Sequence, residues 1–219
     1  EINVTNMTCM FRNCKLLEKL PDISNYNTEN VTTMQALFEG CNALKTIPDI
    51  SRWDTRNINN LSYLFKKCHS LKELPDLSKW NTENVLSIQY MFENCISLKS
   101  LPEISKWNTS KINSISGLFK NCSSLINLPD ISNWSLNNIN SYLAIFEKCS
   151  SIEYLPDISK WNTSNIIDMS HTFMECKKLK SLPDISKWDI SNVLNIRAMF
   201  KDCFSLIKIS ALFSVIVIL

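Results

Sequence analysis

The sequence predicts an α/β repeat solenoid of 27-residue coils, with short parallel strands on one face and short helices on the other. Three observations carry this reading. Eight cysteines, Cys14, Cys41, Cys68, Cys95, Cys122, Cys149, Cys176 and Cys203, fall 27 residues apart. The prolines from Pro21 to Pro183 keep the same step, and so do the phenylalanines from Phe11 to Phe200. An aromatic column, Tyr26, Trp53, Trp80, Trp107, Trp134, Trp161 and Trp188, uses all six tryptophans. A register without insertions means that each unit meets its neighbours in the same way, as in a solenoid rather than in two globular domains.

The elements of one unit follow from its spacing. Val31, Met34, Leu37, Phe38 and Cys41 are 3, 3, 1 and 3 apart, the apolar stripe of a short helix. Leu44, Ile47 and Ile50 flank Pro48 and read as a short strand, with the proline at its end because proline has no ladder donor. The next stretch, "SRWDTRN" from Ser51 to Asn57, is rich in side chains that bond nearby backbone and reads as a return loop pinned by Trp53. One coil cannot close a core by itself, whereas stacked coils bury each other's apolar columns. Residues 1–209 are therefore expected to form a single array of about seven and a half repeats that starts inside a repeat, and 210–219 an apolar, divergent or truncated tail.

Composition narrows function less than fold. A hydrophobic content of 45% suits a packed core. The 23 Lys and Arg are interspersed with 21 Asp and Glu, so neither a nucleic-acid groove nor a polybasic membrane anchor is indicated. No targeting segment opens the sequence at Glu1. The apolar run from Ile209 to Leu219 is shorter than the roughly 20 residues that a membrane span needs, so as written it reads as no transmembrane helix or as the start of one cut short; no membrane insertion by the repeats themselves is expected.

The phrase "LPDISKWNTSN" at 155–165 and its near-copies, followed by N-V-x-x-M and M-F-x-x-C, resemble the BspA-type leucine-rich repeat. That repeat occurs in surface proteins and lipoproteins of bacteria and in large families of protist proteins, part of it classed as a domain of unknown function. The resemblance covers residues 3 to about 209. It implies a leucine-rich-repeat-like solenoid, often displayed outside the cell and used for adhesion or recognition, and it implies no catalytic residue. The chain departs from the pattern at Tyr26, Lys111, Leu136, Tyr142, Thr172 and Ile190.

Candidate site residues were weighed column by column. Packed helical segments lie about 8 to 10 Å apart and a disulfide needs Cα atoms within about 7 Å, so the cysteine column reads as buried thiols acting as small hydrophobes. Together with the tryptophans it makes a structural ladder, and the off-column Cys9 is the thiol expected to react first. Zinc is not indicated, because no C-x-x-C pair exists and the two histidines, His69 and His171, lie far apart. The acidic column Asp22, Asp49, Asp76, Glu103, Asp130, Asp157 and Asp184 would repel itself at the ladder spacing of about 4.8 Å. Neutralisation by Arg52, Lys79, Lys106, Lys160 and Lys187 three residues on, or capping of backbone by the carboxylates, is favoured over a calcium ladder, whose corner glycines are missing.

Two functions follow, with no cofactor and no metal in either. One is a non-enzymatic recognition or adhesion solenoid on a cell surface, binding a protein or glycan through the face that carries Asp49, Arg52, Asp76, Lys79, Glu103, Lys106, Asp157, Lys160, Asp184 and Lys187. The other is an intracellular interaction scaffold in the cytoplasm. An enzyme is disfavoured because a catalytic site breaks symmetry, and nearly every polar column here is repeated. Recognition must come from columns that vary. The series Ala36, Tyr63, Tyr90, Gly117, Ala144, His171, Ala198 does so and makes Tyr63 and Tyr90 an alternative binding patch.

Overall fold

The structure is a computed structural model and describes residues 3–207. The coils are numbered 1 to 8 by the column cysteine that each contains. The apolar tail expected at 210–219 lies outside the described residues.

Adjacent coils are joined by backbone hydrogen bonds that repeat at each step. Between coils 2 and 3, Met34, Ala36, Phe38 and Gly40 donate their N–H groups to the carbonyls of Asn60, Ser62, Leu64 and Lys66 at 3.1, 2.9, 3.0 and 2.7 Å. The alternate residues donate locally: Leu37 to Met34, Glu39 to Ala36 and Cys41 to Phe38, while the Gln35 N–H is taken by the Thr33 hydroxyl. Each N–H from 34 to 41 therefore has a partner, as a buried backbone requires. Parallel bridges mark the start of this segment, linking Asn6, Thr33, Asn60, Ser87 and Ser114 in one series and Ser141, Asp168 and Asn195 in another.

This corrects the predicted elements. Among the described residues neither a helix nor an extended strand forms, and the ladder runs through the segment read as a helix. The chain there is a succession of tight turns that put a left-handed residue at every fourth position, Ala36 (φ 54°) and Gly40 (φ 74°) in coil 2. The same pair of positions is left-handed in all eight coils, from Cys9 and Asn13 to Ala198 and Asp202. Turning every four residues puts Met34, Leu37, Phe38 and Cys41 on one side, just as a helix would, so apolar spacing cannot separate the two. The L-x-x-L-P-D-I segment carries only sparse inter-coil bonds, such as Lys45 N–H to the Glu18 carbonyl at 3.2 Å and Lys180 N–H to the Glu153 carbonyl at 3.0 Å. Its prolines cannot donate.

Because ladder positions stack in register, identical side chains stack with them. The phenylalanine rings from Phe11 to Phe200 form a continuous pile with centroids 5.6 to 5.9 Å apart and planes within 15° of parallel. The tryptophans are buried, and each indole N–H reaches the preceding coil: Trp53 donates to the Ile23 carbonyl at 3.0 Å, Trp80 to Ile50 at 3.1 Å and Trp107 to Leu77 at 3.1 Å. Tyr26, at the corresponding place in coil 1, is exposed.

The stack has one seam. Among the described residues no bridge joins Ser114 to Ser141. There Tyr142 replaces an aliphatic residue, packs its ring against Trp161 and Trp188 at 5.5 and 5.9 Å, and sends its hydroxyl to the Asn162 carbonyl at 3.1 Å. Nearby, the Thr109 hydroxyl is buried without a partner, whereas Thr28, Thr55 and Thr82 each donate to a carbonyl of the following coil.

Trp107→Ala removes both a buried ring and the bond to Leu77 in a coil with neighbours on both sides. Urea titration is expected to show a loss of about 3 to 5 kcal/mol; a loss below about 1 kcal/mol would contradict this packing.

Candidate functional site

The acidic column is bound to its own backbone. Asp22, Asp49, Asp76, Glu103, Asp130, Asp157 and Asp184 each accept the N–H of the serine two residues on, at 2.8 to 3.0 Å. The hydroxyls of the same serines and these backbone bonds together hold the carboxyls below their ordinary range, with neighbouring Arg52 and lysines adding a smaller effect. Arg52, Lys79, Lys106, Lys160 and Lys187 are exposed beside them, and among the described residues no ion pair joins the two columns. Of the two ways to relieve repulsion, backbone capping is the one the geometry uses, so the acidic half of this face is a corner-forming device.

A second charged column escaped the sequence reading. Arg12, Glu39, Lys66, Glu93, Lys120 and Glu147 stand 27 residues apart and alternate in sign along the stack. Three pairs close across coils: Arg12 with Glu39 at 2.8 Å, Lys66 with Glu93 at 2.7 Å and Lys120 with Glu147 at 2.9 Å. Glu93 and Glu147 are buried, so removing one partner would leave an uncompensated charge. The Lys66–Glu93 contact lies off the hydrogen-bonding direction of Oε2, and the carboxylate is held there by charge. Reading signs down each column would have found this pattern.

Tyr63 and Tyr90 occupy the first of the two left-handed positions, at φ 62° and 53°. Their rings stack at 5.6 Å and within 3° of parallel. Lys66 Nζ lies 4.9 Å from one centroid and 5.2 Å from the other, so it sits beside the stack, between the rings, where a cation is attracted to both. Burial, and then the Glu93 carboxylate, pushes the Tyr90 phenol up. Gly117 follows in the column: a Cβ there would stand 2.1 Å from Tyr90 Cε1, so the ring lies where a side chain would be. A shallow cleft of about 280 Å³ opens on the other side of Tyr63, lined by Cys9, Arg12, Gln35, Ala36, Glu39, Tyr63 and Lys66. In coil 7 His171 shares the same column, with Nδ1 3.1 Å from Met174 Sδ and 4.0 Å from Glu147.

All nine cysteines are free. Cys41 donates its thiol to the Phe11 carbonyl at 3.0 Å, Cys68 to Phe38 at 3.2 Å, and the pattern continues to Cys203. With no helix among the described residues, the spacing argument against disulfides does not hold. Pairing is opposed instead by direction, since in-register side chains run parallel and each thiol from Cys41 to Cys203 points to a carbonyl. Burial pushes Cys95 and Cys149 up to about 12. Cys14, in coil 1, is exposed, and Cys9 is half-buried. Among the described residues no cluster of three His, Cys, Asp or Glu side chains is arranged to hold a metal ion.

Two measurements test these assignments. Thiol titration should find Cys14 and Cys9 fastest in the native protein and all nine after denaturation without reductant. A buried thiol that resists ionisation stabilises the fold fully below its unfolded value near 9.0, and that contribution is lost as pH rises toward 12. The urea midpoint should accordingly decline between those limits. Gly117→Ala should displace the Tyr90 ring, and a double-mutant cycle with Tyr90→Ala should show coupling of at least about 0.5 kcal/mol; additive losses would contradict the contact.

Comparisons with known proteins accord with the repeat. The sequence matches the family described as "Mycoplasma protein of unknown function, DUF285" over residues 2–74, 44–156 and 126–212. Among curated proteins none matches. A leucine-rich repeat protein from Bacteroides ovatus, known from its crystal structure, is similar at 17% identity and a TM-score of 0.40, over 94% of this chain and 70% of that one. The overlapping matches span nearly the whole sequence, and the chain belongs to the DUF285 family.

Proposed function

We propose that the chain is a non-enzymatic recognition or adhesion solenoid, displayed on a cell surface and binding a protein or glycan. The observation that carries this reading is the Tyr63–Tyr90 stack with Lys66 beside it. It stands in a column that varies, among polar columns committed to backbone turns. Rigid aromatic rings next to a cation make effective contact anchors. Turnover is not proposed, because the charges of this face are paired across coils. A cytoplasmic interaction scaffold is the second reading, favoured by the nine free thiols, which suit a reducing compartment. Neither reading includes a nucleic acid or membrane insertion by the repeats.

The test compares two double variants for binding to intact cells and for pull-down from cytosol. Tyr63→Ala with Tyr90→Ala should lose cell binding at least tenfold with the circular dichroism unchanged. Lys79→Glu with Lys106→Glu, which spares the serine-capped carboxylates, should retain it. Loss only in the lysine variant would move the site to the charged face, and loss confined to cytosolic partners would support the scaffold. A catalytic turnover abolished by changing one coil would overturn both.

A further inference from the structure

The tyrosine pair at the left-handed column ends at coil 3, and the step beyond it, at coil 2, defines a place for a ligand. Tyr90 rests over Gly117 and Tyr63 stacks on Tyr90. The next position in the column is Ala36, a buried residue at 3% exposure that lines the cleft beside Tyr63 with a side chain too short to fill it. Lys66 is nearly equidistant from both ring centroids, so it stands beside the stack and does not cover Tyr63's outer face. One flat ring is missing from a column whose backbone already accommodates two.

The polar lining limits what that ring can be. Arg12 and Glu39 are paired at 2.8 Å on one wall. Lys66 is paired with Glu93 on the other. The four charges cancel, so a ligand is not selected by its own charge. Gln35 also lines the cleft, its side-chain carbonyl accepting the Asn60 amide at 3.2 Å. Donors and acceptors thus lie side by side next to one aromatic face. A partner's aromatic side chain would leave those polar groups desolvated and unpaired, which is costly. A ring with an apolar face and a rim of hydroxyls satisfies both surfaces.

We propose that this cleft binds a neutral hexopyranose of a surface glycan, its C–H face on Tyr63 and its vicinal hydroxyls on Arg12, Glu39 and Gln35. The inference rests on the recognition function proposed above and names the ligand class for the same patch. Tyr63 and Ala36 are its specificity-determining residues.

Ala36→Tyr is the informative variant. Tyrosine is already accommodated at this left-handed position in coils 3 and 4, so the substitution fills the missing rung with a ring and closes the cleft. The probes are immobilised neutral oligosaccharides ending in glucose, galactose or mannose. The wild-type chain should bind at least one of them, and binding should change less than threefold between 50 mM and 500 mM salt, about a tenfold rise in ionic strength that screens charge-driven contacts. Ala36→Tyr and Tyr63→Ala should each lose at least tenfold, while Tyr63→Phe, which keeps the ring, should stay within threefold. Thermal melts of every variant report the fold. Absence of binding to every probe, undiminished binding by a folded Ala36→Tyr, or preference for aromatic peptides over sugars would each overturn the proposal. If the wild type binds intact cells and Ala36→Tyr binds them equally, the glycan assignment fails and the surface-recognition reading stands; if no cell binding exists at all, that reading itself fails.

Discussion

Everything else in this array depends on the backbone bonds, four at each step and three at the seam, which carry N–H groups of one coil to carbonyls 26 residues ahead. They can form only if the chain reverses direction every four residues, and that reversal puts two residues of each coil in the left-handed region. For a residue with a Cβ that conformation costs on the order of 1 to 2 kcal/mol, and fourteen non-glycine residues adopt it. The satisfied ladder and the apolar columns that it aligns offset this cost. Once the ladder exists, every side chain faces its counterpart at about 4.8 Å, and the phenylalanine pile and the indole bonds follow without further specification.

The same register sets the problem that the polar residues solve. A column of identical charges at ladder spacing would push the coils apart, and the chain answers in two ways. On the exposed corner the carboxylates all have one sign and are turned to serine N–H groups. In the half-buried column beside the tyrosines, where solvent screens less, the sign alternates from Arg12 to Glu147 and the charges pair across coils. Asparagines do similar work for the backbone: the Asn57 amide bonds the Glu29 carbonyl and that of Asn84 bonds the Arg56 carbonyl. Where Lys111 stands in their place, it reaches the Asn84 side chain at 2.9 Å.

How much of this could be read in advance is clear from particular residues. The period and the burial of Trp107, Phe92 and Cys95 were legible, because a core column must be apolar whatever backbone carries it. The type of backbone was not, since Val31, Met34, Leu37, Phe38 and Cys41 keep the same spacing on a helix and on a run of four-residue turns. A signal was nevertheless present. The chain's two glycines, Gly40 and Gly117, both fall at left-handed positions, and the column of Gly40 also holds Asn13, Asn94, Asn121 and Asp202, residue types that tolerate that conformation. Of the candidate site, the adjacency of Tyr63 and Tyr90 was visible in the column. The Lys66–Glu93 pair was hidden because its column alternates in sign from coil to coil, and columns of one repeated residue type are the ones that stand out.

The left-handed column also explains how variable chemistry can be carried on an invariant frame. At Ala36, Tyr63, Tyr90, Ala144 and His171 the ladder uses only the main-chain N–H of each residue, so the side chain can change without altering a rung. The φ angle stays within 53° to 62° whether the residue is alanine, tyrosine or histidine. The backbone ladder and the chemistry of this column are thereby separated. The separation has one local limit, at Gly117, where the ring of Tyr90 already fills the space of the next side chain. There the tyrosine stack itself restricts the residue in the following coil, because any Cβ at 117 would meet the Tyr90 ring.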